Sequence, residues 1–193
     1  MKLEKLKHES TFVLPAHAAL FRTQASRARK GSIRVGNLRL PPSDLMKGRF
    51  DVQGVSVGYF AQSPQTSIYE AICRREHGMV SNVLLGKRQM LCFNTTRPLK
   101  LLDVRALTTT WPVLQSMRFE LTQMLAASAK AKGFDGILYL SAQHFGQDCY
   151  ALFEDSLASL KLQSRVPLLE PETGNYHFAL ADALRGSQIT VVP

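Results

Sequence analysis

Between Val55 and His77 the apolar residues of this chain change period, and that change rules out an all-helical or an all-strand fold. Val55, Val57, Tyr59 and Ala61 alternate with Ser56, Gly58 and Phe60, the two-residue period of a strand. Ser63-Pro64 then starts a helix. A serine oxygen can accept from the free N–H groups of a first helical turn, and proline lacks an N–H that would go unbonded there. This helix is predicted to run to about His77 and to stop at Gly78. Polar residues at the end of such a strand, or on the helix that follows it, are where chemistry is usually mounted.

A second unit runs in the reverse order. Leu114, Met117, Leu121, Met124, Leu125 and Ser128 recur at three- and four-residue spacing, which marks an amphipathic helix stopping near Gly133. Trp111-Pro112 is expected to open it. Residues 136–141 and 149–153 then read as two core strands. Further strands are predicted at 18–23, 89–93 and 99–104, with a short helix at 178–184 and a terminal strand at 188–192. Residues 1–14 read as a weakly ordered arm or short helix. Residues 25–44 read as a long basic loop, with or without a short helix, and the tail beyond Ser156 as a loop carrying Pro167 and Pro171. The expectation is one mixed α/β (α+β) domain over 15–193, with a central β-sheet core and flanking helices behind an arm at 1–14.

At 193 residues the chain can bury a sizeable core. No apolar run reaches the roughly 18–20 residues of a membrane helix. The N-terminus is charged and lacks the apolar stretch of a signal peptide. Cys73, Cys92 and Cys149 are odd in number and widely spaced, which suits reduced core thiols and a cytoplasmic location. His8, His17, His77, His144 and His177 show no metal-ligand spacing, and no metal is expected. Glycine-rich dinucleotide and phosphate loops are missing, as is a nucleophile elbow.

Charge is unevenly spread. Residues 1–50 carry eleven Lys or Arg against three acids, a net +8 out of +9 for the chain. Such a field suits an anionic partner: a phosphorylated small molecule, a nucleic acid or an acidic protein. A solvated basic surface is the plain alternative.

Considered singly, the polar residues near the strand ends are ambiguous. Glu70 lies opposite Ile68 and Ile72 on its helix and reads as solvated. Tyr59 has the alternation of a core residue. Ser141 can end a strand by bonding nearby backbone, and Arg22 and Arg49 can be surface ion-pair partners. His144, three residues after Ser141, is a further residue that comes near them in sequence.

Taken together, Leu20-Phe21-Arg22-Thr23, Gly48-Arg49-Phe50, the eleven-residue step from Tyr59 to Glu70 across Ser63-Pro64, and Asp135-Gly136-Ile137-Leu138-Tyr139-Leu140-Ser141 resemble the RES family. The resemblance is strongest over 20–153. It implies a fold similar to ADP-ribosyltransferases, with NAD+ as substrate in a cleft between its sheets. It also implies a toxin that breaks the nicotinamide–ribose bond, with phosphate, water or a protein side chain as acceptor. On this reading Glu70 stabilises the charge building on the ribose carbon. Arg22 and Arg49 take the pyrophosphate, Tyr59 stacks on the nicotinamide, and Ser141 bonds its carboxamide or the ribose. Inorganic phosphate is the implied co-substrate and an Xre-type helix-turn-helix antitoxin the implied partner. Nucleic acid would be touched only through the antitoxin, and a homo-oligomer is left open. Three residues depart from the family pattern: Lys47, Gln143, and Asp51, which places a negative charge beside Arg49. The rival readings are a non-enzymatic nucleic-acid-binding module built on the basic first quarter, and an inactive RES fold acting as a binding protein.

Overall fold

The computed structural model describes residues 10–28, 30–107 and 119–193. The call of an arm over 1–14 falls partly outside these residues, as do Trp111-Pro112, Leu114 and Met117.

Eight strands form one curled sheet in the order β1-β8-β9-β10-β5-β2-β7-β11. They are β1 (Ser10–Leu14), β2 (Ala19–Ala25), β5 (Val57–Ala61), β7 (Arg88–Thr95), β8 (Leu99–Asp103), β9 (Gly136–Leu140), β10 (Asp148–Phe153) and β11 (Leu160–Pro167). β8 and β9 run parallel; the other neighbours are antiparallel. Two small sheets complete the chain: β3 (Ile33–Val35) with β4 (Leu38–Leu40), and β6 (Met79–Ser81) with β12 (Thr190–Val192). The described helices are α1 (Pro64–Ala71), α2 (Asn82–Gly86), α3 (Glu120–Ala131), α4 (Glu154–Leu157) and α5 (Phe178–Gly186).

Alternation along the strands feeds three cores. Leu20, Phe60, Leu91, Phe93, Leu101, Leu138 and Leu152 turn into the curl. On the outer face, Ile137, Tyr139, Ala151 and Phe153 meet Leu125, Ala126 and Ala129 of α3. Also on that face, Met90 of β7 meets Ile68 and Ile72 around α1, and Ala179, Leu180 and Ala183 of α5. The two outer cores are separate clusters.

Several expectations needed correction. Residues 10–14 form an edge strand paired with β8. The basic segment 25–44 holds a hairpin whose Leu38 and Leu40 are buried against the curl, because these leucines alternate with Arg39. α1 ends at Ala71, six residues short of the expected stop at His77. The N–H groups of Ile72 and Cys73 both fold back on the Ile68 carbonyl, and the next turn is bonded across the fold instead: the Arg75 N–H donates to Gln143 Oε1 at 2.8 Å. β6, α2 and β11 were not foreseen. α3 buries Thr122, Leu125, Ala126 and Ala129 and leaves Met124 exposed, a face turned from the predicted stripe. Gly133, at φ +75°, follows α3 where a stop was expected.

Candidate active site

β2 and β5 are neighbours through a single residue pair, Phe21 with Ala61, so the sheet is split beside that pair. The sequence reading placed the cleft between separate sheets; it opens instead at this split within one sheet. It measures about 300 Å³ and is lined from β2 (Phe21, Arg22, Thr23), β5 (Tyr59, Phe60, Ala61) and α1 (Ser67, Glu70, Ala71). The turn at 47–49 adds Lys47, Gly48 and Arg49, and Arg74, Phe119, Tyr139 and Gln143 complete the wall.

Arg22 bridges the split. Its Nη1 donates to the Tyr59 carbonyl at 2.8 Å and its Nη2 to the Arg39 carbonyl at 3.2 Å, standing in for ladder bonds the parted strands lack. Nε is sealed from solvent without an acceptor among the described residues. Burial pushes the guanidinium down to about 10, which still leaves it charged at neutral pH. A buried cation bonded only to carbonyls, with one donor unspent, suits an incoming anion.

The Ser63 side chain caps α1, accepting from the Thr66 N–H at 3.1 Å, with Pro64 in the first turn as predicted. Ile68 and Ile72 face one outer core. Their opposite face, expected to be solvated, looks into the cleft and carries Glu70, half-buried. Ser141 Oγ donates to Glu70 Oε1 at 2.5 Å and accepts from the N–H groups of Gln143 (3.1 Å) and His144 (2.8 Å). Ser141 is 1% exposed and lies behind Glu70 rather than in the cleft wall. Its hydroxyl is spent on the carboxylate, so it acts through Glu70 rather than on a ligand.

Tyr59 is similarly committed. Its hydroxyl donates to Asp51 Oδ1 at 2.8 Å and accepts from the Phe50 N–H at 2.9 Å, leaving the ring as the part open to a ligand. Burial, then the Asp51 charge, raises its hydroxyl well above the usual tyrosine value. Asp51 is itself buried, and its other oxygen accepts from the Gly48 N–H at 2.5 Å. The feared charge beside Arg49 is therefore an organiser of the turn: Asp51 ties Gly48 to Tyr59. A Cβ on Gly48 would run into both partners, so only glycine fits. Arg49 lies over the Phe119 ring, 5.9 Å from its centroid.

His144 braces the site without lining it. Its Nδ1 bonds the Thr66 hydroxyl at 2.9 Å and its ring stacks on Tyr69 at 4.3 Å. Sequence reasoning missed Tyr139, Phe119 and Arg74 as cleft residues. Tyr139 stood in the strand motif without an assigned role, while Arg74 had no signal beyond its charge. The Tyr139 ring packs on Phe50 at 4.8 Å, and burial holds its hydroxyl well above the usual value. Arg22, Arg49, Tyr59 and Glu70 thus converge on one aromatic-walled, cationic cleft with a single carboxylate among its lining residues.

The fold, a mixed α/β domain with a curled central sheet, agrees with the comparisons. The RES domain is matched over residues 17–178, and the chain belongs to that family. The fold is similar to one in the crystal structure of the M. tuberculosis MbcT–MbcA toxin–antitoxin complex. That likeness has a TM-score of 0.58 and 14% identity, and covers 91% of this chain and 92% of the other. No curated protein sequence matches significantly. No helix among the described residues is long and apolar enough to cross a membrane.

Proposed function

We propose that this chain is the toxin of a toxin–antitoxin pair and cleaves the nicotinamide–ribose bond of NAD+. The observation that carries the reading is Glu70. Its carboxylate is held by a buried serine and faces a cleft that is otherwise cationic and aromatic. Cleavage builds positive charge on the ribose carbon, and a fixed carboxylate in a partly dehydrated site stabilises that charge. The C–N bond breaks with both electrons passing to the ring nitrogen, so nicotinamide leaves neutral. The ribose carbon then bonds an oxygen of phosphate, giving ADP-ribose phosphate, or of water, or a nucleophilic atom of a protein side chain. Water or a protein acceptor gives up its proton to solvent.

Arg22 and Arg49 are suited to the pyrophosphate, and the Tyr59 and Tyr139 rings to the nicotinamide. Membership of the RES family supports the toxin reading, and so does the likeness to a chain in a toxin–antitoxin complex. The partner on this reading is an antitoxin protein of the Xre type. The nucleic-acid reading draws no comparable support: Arg39, one of its cations, donates to the Ala25 backbone carbonyl.

The test is nicotinamide release from NAD+ by purified protein, with and without phosphate, against Glu70→Gln. The variant is expected to lose roughly 10²–10⁴ in rate. Release that survives in Glu70→Gln at full rate overturns the assignment.

A further inference from the structure

Four cations line the cleft: Arg22, Lys47, Arg49 and Arg74. Arg74 lies just past the end of α1 and has no part in the reading above. Its Nη2 is held 2.5 Å from Glu76 Oε1 in a pair with side chains 36% and 40% exposed. Its Nε is sealed from solvent and meets no acceptor among the described residues. Glu76 therefore engages one donor of the guanidinium fork and leaves another unspent. A tetrahedral oxyanion that displaces Glu76 offers two oxygens at the spacing such a fork takes up in parallel: one takes Nη2, the other Nε once the exchange uncovers it.

Glu76 is placed to be displaced. Its second oxygen is held by Gln143 Nε2 at 3.3 Å, a long bond at an exposed position. Gln143 in turn accepts the Arg75 N–H and donates its own N–H to Ser141 Oγ, the group that holds Glu70. Carboxylate and incoming anion would thus compete for one arginine at the edge of the cleft.

We infer that Arg74 is a second anion-binding residue of the cleft, taking a phosphoryl group or free inorganic phosphate, and that Glu76 is its built-in competitor. The inference rests on the NAD reading only for the use to which the bound anion is put. Removing the two partners of one ion pair has opposite consequences: loss of Arg74 weakens anion binding, and loss of the Glu76 charge strengthens it.

The experiment is calorimetric titration of the wild type, Arg74→Gln, Glu76→Gln and the double variant with inorganic phosphate and, separately, with ADP-ribose. Arg74→Gln is expected to bind one or both ligands roughly tenfold more weakly, the scale of one charge-assisted hydrogen bond. Glu76→Gln is expected to bind about threefold to tenfold more tightly, and that gain should vanish in the double variant. Loss confined to phosphate identifies a free oxyanion site, and loss confined to ADP-ribose a nucleotide phosphoryl site. Unchanged binding of both ligands by Arg74→Gln, or weaker binding by Glu76→Gln, overturns the inference. Nicotinamide release by the same wild-type sample separates the two readings. If release is absent while the affinity pattern holds, NAD cleavage fails and the anion site stands.

Discussion

Ser141 and Glu70 are 71 residues apart in sequence and share a 2.5 Å hydrogen bond. Ser141 also accepts two backbone N–H groups, so one buried oxygen holds the Glu70 carboxylate and closes the following loop. Ser141→Ala should cost about 1–3 kcal/mol, because those half-buried N–H groups lose their acceptor. Denaturant unfolding measures that loss. The same variant should lower kcat for nicotinamide release while leaving KM for NAD+ nearly unchanged, as expected of a residue that positions Glu70 without touching the substrate. A raised KM with unchanged kcat would instead make it a ligand contact. Tyr59 carries the same lesson: the motif locates it correctly in the cleft, but its hydroxyl belongs to Asp51 and the Phe50 backbone.

At the scale of elements, α1 is braced at both ends. Its start is local, Ser63 and Pro64 doing what their chemistry predicts. Its far side is held by His144, bonded to Thr66 and stacked on Tyr69. Burial holds the His144 imidazole below its usual 6.5, so the folded state favours the neutral ring. As pH falls below about 6.5, the unfolded chain takes up a proton that the folded one resists. This contribution to stability is therefore complete above that pH and is lost on acidification towards the folded value. His177 is shifted the same way by the same cause. His144→Asn should accordingly flatten part of the fall in melting temperature between about pH 7.5 and pH 5. An unaltered slope would show that His144 plays no part in it.

Over the whole molecule, two outer cores, one under α3 and one around α1 and α5, pack against a single curled sheet without merging. The curl itself is filled by residues from strands far apart in sequence. Leu138 is fully buried there. Leu138→Ala should destabilise the entire domain by about 2–5 kcal/mol in urea titrations. A much smaller loss, with the site alone disturbed, would mean that the curl is not the common foundation of both outer layers.

What could be read from residue order was what short-range physics controls. The strand at β5, the serine–proline start of α1 and the glycine after α3 each depend on residues within a turn or two. The order of the motifs sufficed to single out Arg22, Arg49, Tyr59 and Glu70, which the fold brings to one cleft. The early end of α1, the buried hairpin at 33–40 and the edge strands β1 and β11 depend on partners distant in sequence, which no local period reveals. The roles within the site were decided the same way. Glu70 turns from a solvated helix position into a cleft carboxylate only because β2 and β5 part beside it. Whether a polar group faces water or a ligand depends on what the fold brings to its other side.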